Sequence, residues 1–320
     1  MAPARGAPAE AGVSFRLEDL IALRPLASRL RALSTPPVVS TAPAGQRSPL
    51  RGRGVDYEET RPYQPGDDVR NIDWRVTART GEPHTKIYRE ERERTLLVVT
   101  DVGPAMRFAT RRAFKSVVAA ECAALLAWAA AERGDRVGAL VCGPDHVVTV
   151  SPQPRERGAL ALLTALVEAQ GTSGAPSAAV PSRLAEALEA AGSMARADVR
   201  LIVLADLGPA AGPGRAPVRI RTGLEHCAAH SRTSCGWVVD PIEHTLPAPG
   251  DYPVSDGSRR WTLRGVQNSE RRDYRHRYEA RVETLRAELE THAVELFFVS
   301  TADAPVEALH EVFLRSPAFL

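Results

Sequence analysis

Two aspartates carry the chemistry most readily read from this chain, because each ends an apolar run of strand type: Asp101 after Leu96 to Thr100, and Asp206 after Val199 to Ala205. In an open α/β sheet ligands gather in the crevice outside the strand ends. A pair of carboxylates there can hold a divalent metal that activates water, so a metal-dependent hydrolase is one function class to weigh. Other catalytic templates are missing: the chain has no His-Glu-x-x-His, no Gly-x-Gly-x-x-Gly after a strand and no Gly-x-Ser-x-Gly elbow. Lys115-Ser116 follows Phe114 where a P-loop needs glycine, so the ATPase signature is absent. His226 and His230 are four apart on an expected helix, but no carboxylate stands at matching spacing, and they read as surface residues rather than ligands.

A second constellation is the run Arg61-Pro62-Tyr63-Gln64-Pro65-Gly66-Asp67-Asp68-Val69-Arg70-Asn71-Ile72-Asp73-Trp74, with Arg79 shortly after it. Between Arg51 and Arg79 six arginines face six acids, so the segment is neutral. A nucleic-acid surface needs uncompensated basic charge, and Tyr57, Tyr63 and Trp74 alone do not make one. Arginine forks suit carboxylates, so Arg61, Arg70 and Arg79 are expected to form an ion-pair network with Asp67, Asp68 and Asp73. In a structural role Pro65-Gly66 turns the chain, Asp67 accepts backbone hydrogen bonds and Trp74 anchors the segment in the following domain. In a functional role part of the network is an exposed docking surface.

The elements that must position these residues follow from pattern. At 320 residues, 44% hydrophobic and 25% charged, the chain is of ordinary globular composition. Its formal net charge of +2 gives no global attraction to nucleic acid or anionic lipid. Only Lys86 and Lys115 are lysines, a bias expected of a GC-rich genome. The four cysteines form no Cys-x-x-Cys pair and read as reduced core residues. No leader pattern and no apolar stretch long enough to span a bilayer is present, so a cytoplasmic protein is expected.

Residues 1–37 are expected to hold a flexible start and an amphipathic helix over Phe15 to Leu33, docked on its own domain; a membrane-surface helix is the rival reading. Residues 38–94 should form short strands and loops around the Gly-Asp-Asp run. From Thr95 to the end, strands at 95–100, 136–142, 199–205, 234–239 and 294–299 alternate with helices at 109–133, 155–169, 182–191, 222–230, 270–291 and 304–314. That alternation predicts a doubly wound, mostly parallel α/β sheet with helices on both faces. The strands ending at Asp101 and Asp206 are expected to be central neighbours.

The order Tyr63-x-Pro-Gly-Asp-Asp-x-Arg-x-Ile-Asp-Trp74, then Ala78-Arg79, then a strand ending in Asp101, resembles the DUF58 family, whose members carry a von Willebrand factor A-like (VWA-like) domain. The resemblance runs from about Gly45 to the last helix and implies a VWA-like, Rossmann-like fold. VWA domains hold Mg²⁺ with Asp-x-Ser-x-Ser, a later Thr and a final Asp, a set of oxygens that suits a hard octahedral cation. Here the first element is Asp101-Val102-Gly103-Pro104-Ala105, so both serines are missing. Any metal would rest on Asp101, Ser182, Asp206 and water, a degenerate set that disfavours a bound cofactor. The resemblance places the chain in a branch without membrane spans. It also implies a partner, since genes of this family often neighbour those of MoxR-type AAA+ ATPases, for which the family looks like an adaptor. The leading expectation is a non-enzymatic interaction module, with the metal-dependent hydrolase as its rival.

Overall fold

Strands that are apolar on both faces must be covered from both sides, and the computed structural model has helices on each face of its main sheet. It describes residues 12–31, 55–65, 67, 69–90, 94–170, 182–208, 218–255, 260–265 and 267–315. The chain divides into two compact units, Pro36–Glu93 and a larger one that joins Met1–Thr35 to Arg94–Leu320. The described N-terminal residues, 12–31, therefore belong to the α/β unit.

The elements begin with helices α1 (Leu17–Ile21) and α2 (Arg24–Arg31). The smaller unit holds β1 (Val55–Pro62), α3 (Trp74–Thr80) and β2 (His84–Glu90), with β1 and β2 antiparallel. The larger unit continues with β3 (Thr95–Asp101), α4 (Lys115–Glu132), β4 (Arg136–Cys142), β5 (Val147–Pro154), α5 (Arg155–Gln170), α6 (Leu184–Met194) and β6 (Val199–Ala205). It ends with α7 (Val218–His230), β7 (Arg232–Val239), α8 (Pro241–His244), β8 (Asp251–Ser255), β9 (Arg260–Arg264), α9 (Asn268–Glu290), β10 (Glu295–Ser300) and α10 (Pro305–Arg315).

The main sheet has the order β10-β7-β6-β3-β4-β5, all parallel except β5, which runs antiparallel to β4. The expected central pair holds: β3 lies beside β6, with Thr100 opposite Leu204. The order reverses between these two strands, because β4 and β5 lie to one side of β3 and β6, β7 and β10 to the other. That reversal is the switch point at which α/β sheets open a crevice.

Successive residues of β3 serve opposite faces. Leu96 and Val98 join a core with α4 and α5, while Leu97 and Val99 join one with α6, α7 and α9. Helix α4 is buried almost all round, with Glu121 its main exception before the last turn. It is apolar on every side because the sheet covers one face and α2, α5 and α10 cover the rest.

Three expectations shift and one holds. The single N-terminal helix is two, because Ala22 closes α1 and Pro25, lacking an N–H, sits harmlessly in the first turn of α2. Leu20, Ala27 and Leu30 are fully buried in the core, so the apolar face of this pair packs within the unit and not on a membrane surface. Helix α4 starts at Lys115 instead of 109, since the preceding loop is tied elsewhere: Phe114 N donates to Gly12 O (2.7 Å) and Lys115 N to Phe108 O (3.1 Å). The edge strand β5 and the β8–β9 pair lacked an apolar signal because they are only partly buried. Among the described residues no helix is long and apolar enough to cross a membrane.

All four cysteines are free and buried. Burial pushes the Cys227 thiol up to about 11 and Cys235 up to about 12, and it raises Cys122 and Cys142 well above their ordinary value. The thiolate is the reactive form. A disulfide-exchange reagent should therefore find no fast thiol in the native protein and four after denaturation; one fast thiol at neutral pH would contradict this burial.

Candidate functional site at the carboxyl edge of the sheet

Three neighbouring strands, β3, β6 and β7, each lead into an aspartate: Asp101, Asp206 and Asp240. The first two close the same local turn. Asp101 Oδ1 accepts from Gly103 N (2.8 Å) and Asp206 Oδ1 from Gly208 N (2.7 Å), the Asx turn in which a carboxylate mimics a backbone carbonyl. The residue between is buried in both, Val102 and Leu207. Glycine at the third position leaves the carboxylate room. A Cβ on Gly103 would lie 3.0 Å from Asp101 Oδ1, and one on Gly208 would lie 2.6 Å from Asp206 Oδ1. A side chain at 103 would therefore press on the Asp101 carboxylate, and one at 208 would displace that of Asp206.

Ser182, which the resemblance offers as a metal ligand, meets Asp101 directly. Its Oγ donates to Asp101 Oδ2 (2.6 Å) and accepts from Leu184 N (3.1 Å), which starts α6. Burial raises the Asp101 carboxyl above its usual range; the bonds from Ser182 and Gly103 oppose that, and the nearby Asp206 charge adds to it.

Asp206 has further partners. Trp237 Nε1, from β7, donates to Oδ1 (3.0 Å), and the indole packs against Phe298 and Tyr278. Its Oδ2 accepts from Lys115 Nζ at 2.6 Å. Lys115 is 1% exposed, and the same ammonium lies 2.7 Å from both carboxylate oxygens of Glu243 and 5.9 Å from the centre of the Phe108 ring. Glu243 is raised by burial, which the Lys115 charge opposes and the Asp206 charge reinforces.

Asp240 ties three segments together. Thr110 N (2.7 Å) and Thr301 Oγ1 (2.5 Å) donate to Oδ2; Thr110 Oγ1 (2.5 Å) and Ile242 N (3.0 Å) donate to Oδ1. In return Glu243 accepts from Asp240 N (2.8 Å), a capping box that starts α8. Burial pushes the Asp240 carboxyl up, but these hydrogen bonds together outweigh it and hold the group below the usual range.

A divalent cation needs oxygens free to coordinate it. Both Asp101 oxygens, both Asp206 oxygens and Ser182 Oγ already hold protein donors or acceptors, and one carboxylate faces an ammonium. The donor set does not fit Mg²⁺. Among the described residues no group of three His, Cys, Asp or Glu is placed to hold a metal. Sequence reasoning missed Asp240, Glu243 and the role of Lys115. The first two carried a signal, Asp-Pro-x-Glu directly after an apolar strand; Lys115 carried none, since its partners lie 91 and 128 residues away.

In the smaller unit Arg61, on β1, pairs with Asp67 at 2.8 Å, and Asp67 Oδ2 accepts from Gln64 N (2.9 Å). That backbone bond first, then Arg61, holds the Asp67 carboxyl low. Tyr63 N donates to Pro83 O (2.8 Å). Asp73 serves chiefly as the N-cap of α3, accepting from Arg75 N (3.0 Å) and Val76 N (3.1 Å), with Lys86 at 3.8 Å in place of an arginine. Arg70 lies in a 3-10 turn at Val69–Asn71 and is exposed, as is Arg79 in the last turn of α3. Gly66 and Asp68 lie outside the described residues. Trp74, the first residue of α3 after its Asp73 cap, is 70% exposed and is not part of a core within its own unit.

The chain is 31% identical over 209 residues to an uncharacterized protein of Mycobacterium bovis, and equally to one of Mycobacterium tuberculosis. The match covers 65% of this chain and 62% of each relative. A von Willebrand factor type A protein from Catenulispora acidiphila is 12% identical over 73% of this chain and 43% of its own, with a TM-score of 0.38. The conserved hypothetical protein BatB from Bacteroides thetaiotaomicron is 13% identical over 69% and 97%, with a TM-score of 0.37. The Gly-Asp-Asp run and the strand-end aspartates both fall within residues 59–288, which match the model of the family described as protein of unknown function DUF58, and the chain belongs to that family.

Proposed function

We propose that this chain is a VWA-like protein-interaction module without catalysis of its own, an adaptor to a MoxR-type AAA+ ATPase in the cytoplasm, with its contact at the carboxyl edge of the sheet. The supporting observation is that the strand-end carboxylates are turned inward onto protein donors, which makes the edge a braced platform and leaves recognition to the loops above it. Phe108, 40% exposed on the loop between β3 and α4, is the large apolar residue that such a platform offers. The partner's class rests on the resemblance of the Gly-Asp-Asp run.

The test is titration of the purified protein into the turnover assay of a MoxR-type ATPase from the same organism, beside a binding measurement. Binding or altered turnover is expected, and a folded Phe108→Asp variant should weaken it at least tenfold. A protein that neither binds nor changes turnover removes the adaptor reading. A divalent-dependent hydrolytic activity abolished by Asp101→Ala would put the hydrolase in its place.

A further inference from the structure

We infer that the Lys115 ammonium is the resident cation of the switch-point crevice and that it takes the place of a divalent metal in this chain. Three observations carry this. A lysine at the first position of a helix opposes the positive end of the helix dipole, and burial adds a desolvation cost; yet Lys115 stands at the start of α4 and is 1% exposed. Its location is accounted for by carboxylates from two other elements, Asp206 after β6 and Glu243 on α8, at 2.6 and 2.7 Å. Among the described residues neither carboxylate pairs with another cation, whereas Asp101, which faces no ammonium, has its oxygens held by Ser182 and Gly103.

Second, the chain uses arginine almost everywhere and keeps lysine at only two positions. A planar guanidinium directs its bonds in a fork, while an ammonium is a compact charge that several oxygens can share. A site in which one nitrogen serves Asp206 and Glu243 together needs the compact ion, as a metal site does. Third, Oδ1 of both strand-end aspartates accepts from the backbone of its own turn, at Gly103 N and Gly208 N, which removes those oxygens from any outward coordination. The ion is therefore covalently part of the chain, and the edge keeps its arrangement at any free metal concentration.

The experiment is thermal melting of the full chain in excess EDTA and in millimolar Mg²⁺ or Mn²⁺, for the wild type, Lys115→Ala, Lys115→Arg, Lys115→Met, and Lys115→Met combined with Asp206→Asn and Glu243→Gln. The wild type should melt at one temperature in all three solutions. Lys115→Ala should melt several degrees lower in EDTA and recover part of that loss with Mn²⁺, because the uncovered carboxylates then accept an external cation. Lys115→Arg should be destabilised although its charge is kept. If Lys115→Ala does not fold, the triple variant decides: with charge removed on both sides it should fold and melt above Lys115→Met alone. A wild-type melting temperature that rises with Mg²⁺ and loses that rise in Asp206→Asn overturns the inference. So does a folded Lys115→Ala indifferent to cations, or a triple variant no more stable than Lys115→Met.

Discussion

Asp240→Ala should be the most damaging single substitution at the sheet edge, lowering stability by about 3–4 kcal/mol. The reason is the number of donors that lose their acceptor. Thr110 N, Thr110 Oγ1, Thr301 Oγ1 and Ile242 N all end on this carboxylate, which is itself fully buried, as is Thr301. A buried donor without a partner costs about 1–3 kcal/mol, and water entering the space recovers part of it. These bonds also hold the loop before α4 to the ends of β7 and β10, so the loss should appear as a fall of about 10 °C in melting temperature together with faster proteolysis around Thr110. A change below about 1 kcal/mol would mean that the loop is held by other contacts.

Asp240 also sets a direction for pH. Its native carboxyl titrates below the unfolded one. The stability it contributes is therefore present above the unfolded value, about pH 4, and is lost as pH falls through the lower native value. Asp240→Asn cannot titrate, so its acid limb should be shallower than that of the wild type. Equal acid limbs in chemical denaturation would show that the group's native value is not depressed.

The second large effect is expected far from the edge. Trp128 is 2% exposed; its indole N–H donates to Leu20 O (3.2 Å) and its face lies 5.1 Å below the Arg24 guanidinium. Truncation to alanine removes a core aromatic and the seat of α1 and α2 at once, at a cost of about 3–5 kcal/mol. Cleavage within residues 12–31 should become the first event in limited proteolysis. Trp128→Phe keeps the packing and gives up the hydrogen bond, and should cost about 1 kcal/mol. If the alanine variant loses stability while the N-terminal pair stays as protected as before, the two helices are held mainly by α5 and α10.

Much of this molecule was legible without coordinates. Runs such as Leu96 to Thr100 and Val199 to Ala205 announce strands buried on both faces, and helical spacing between them fixes a parallel sheet, because both patterns repeat within a few residues. The same local reading puts Asp101 and Asp206 at strand ends, whereas Ser182 stands out only through the resemblance to the VWA pattern. The Gly-Asp-Asp run was equally plain as a motif, and its Arg61–Asp67 pair, six residues apart, is of the short-range kind that sequence reveals.

Tertiary structure alone decided what those groups do. Lys115 meets Asp206 and Glu243 only because β6 lies beside β3 and β7 beside β6, which brings together residues 91 and 128 positions apart. Thr110 and Thr301 reach Asp240 for the same reason. Trp74, apolar enough to suggest a core, is exposed at the start of α3. Hydrophobic periodicity is a local property of the chain and survives any arrangement of its elements. The pairing of charges depends on strand order, which one sequence does not contain, and here that order closes Asp206 and Glu243 around a single lysine.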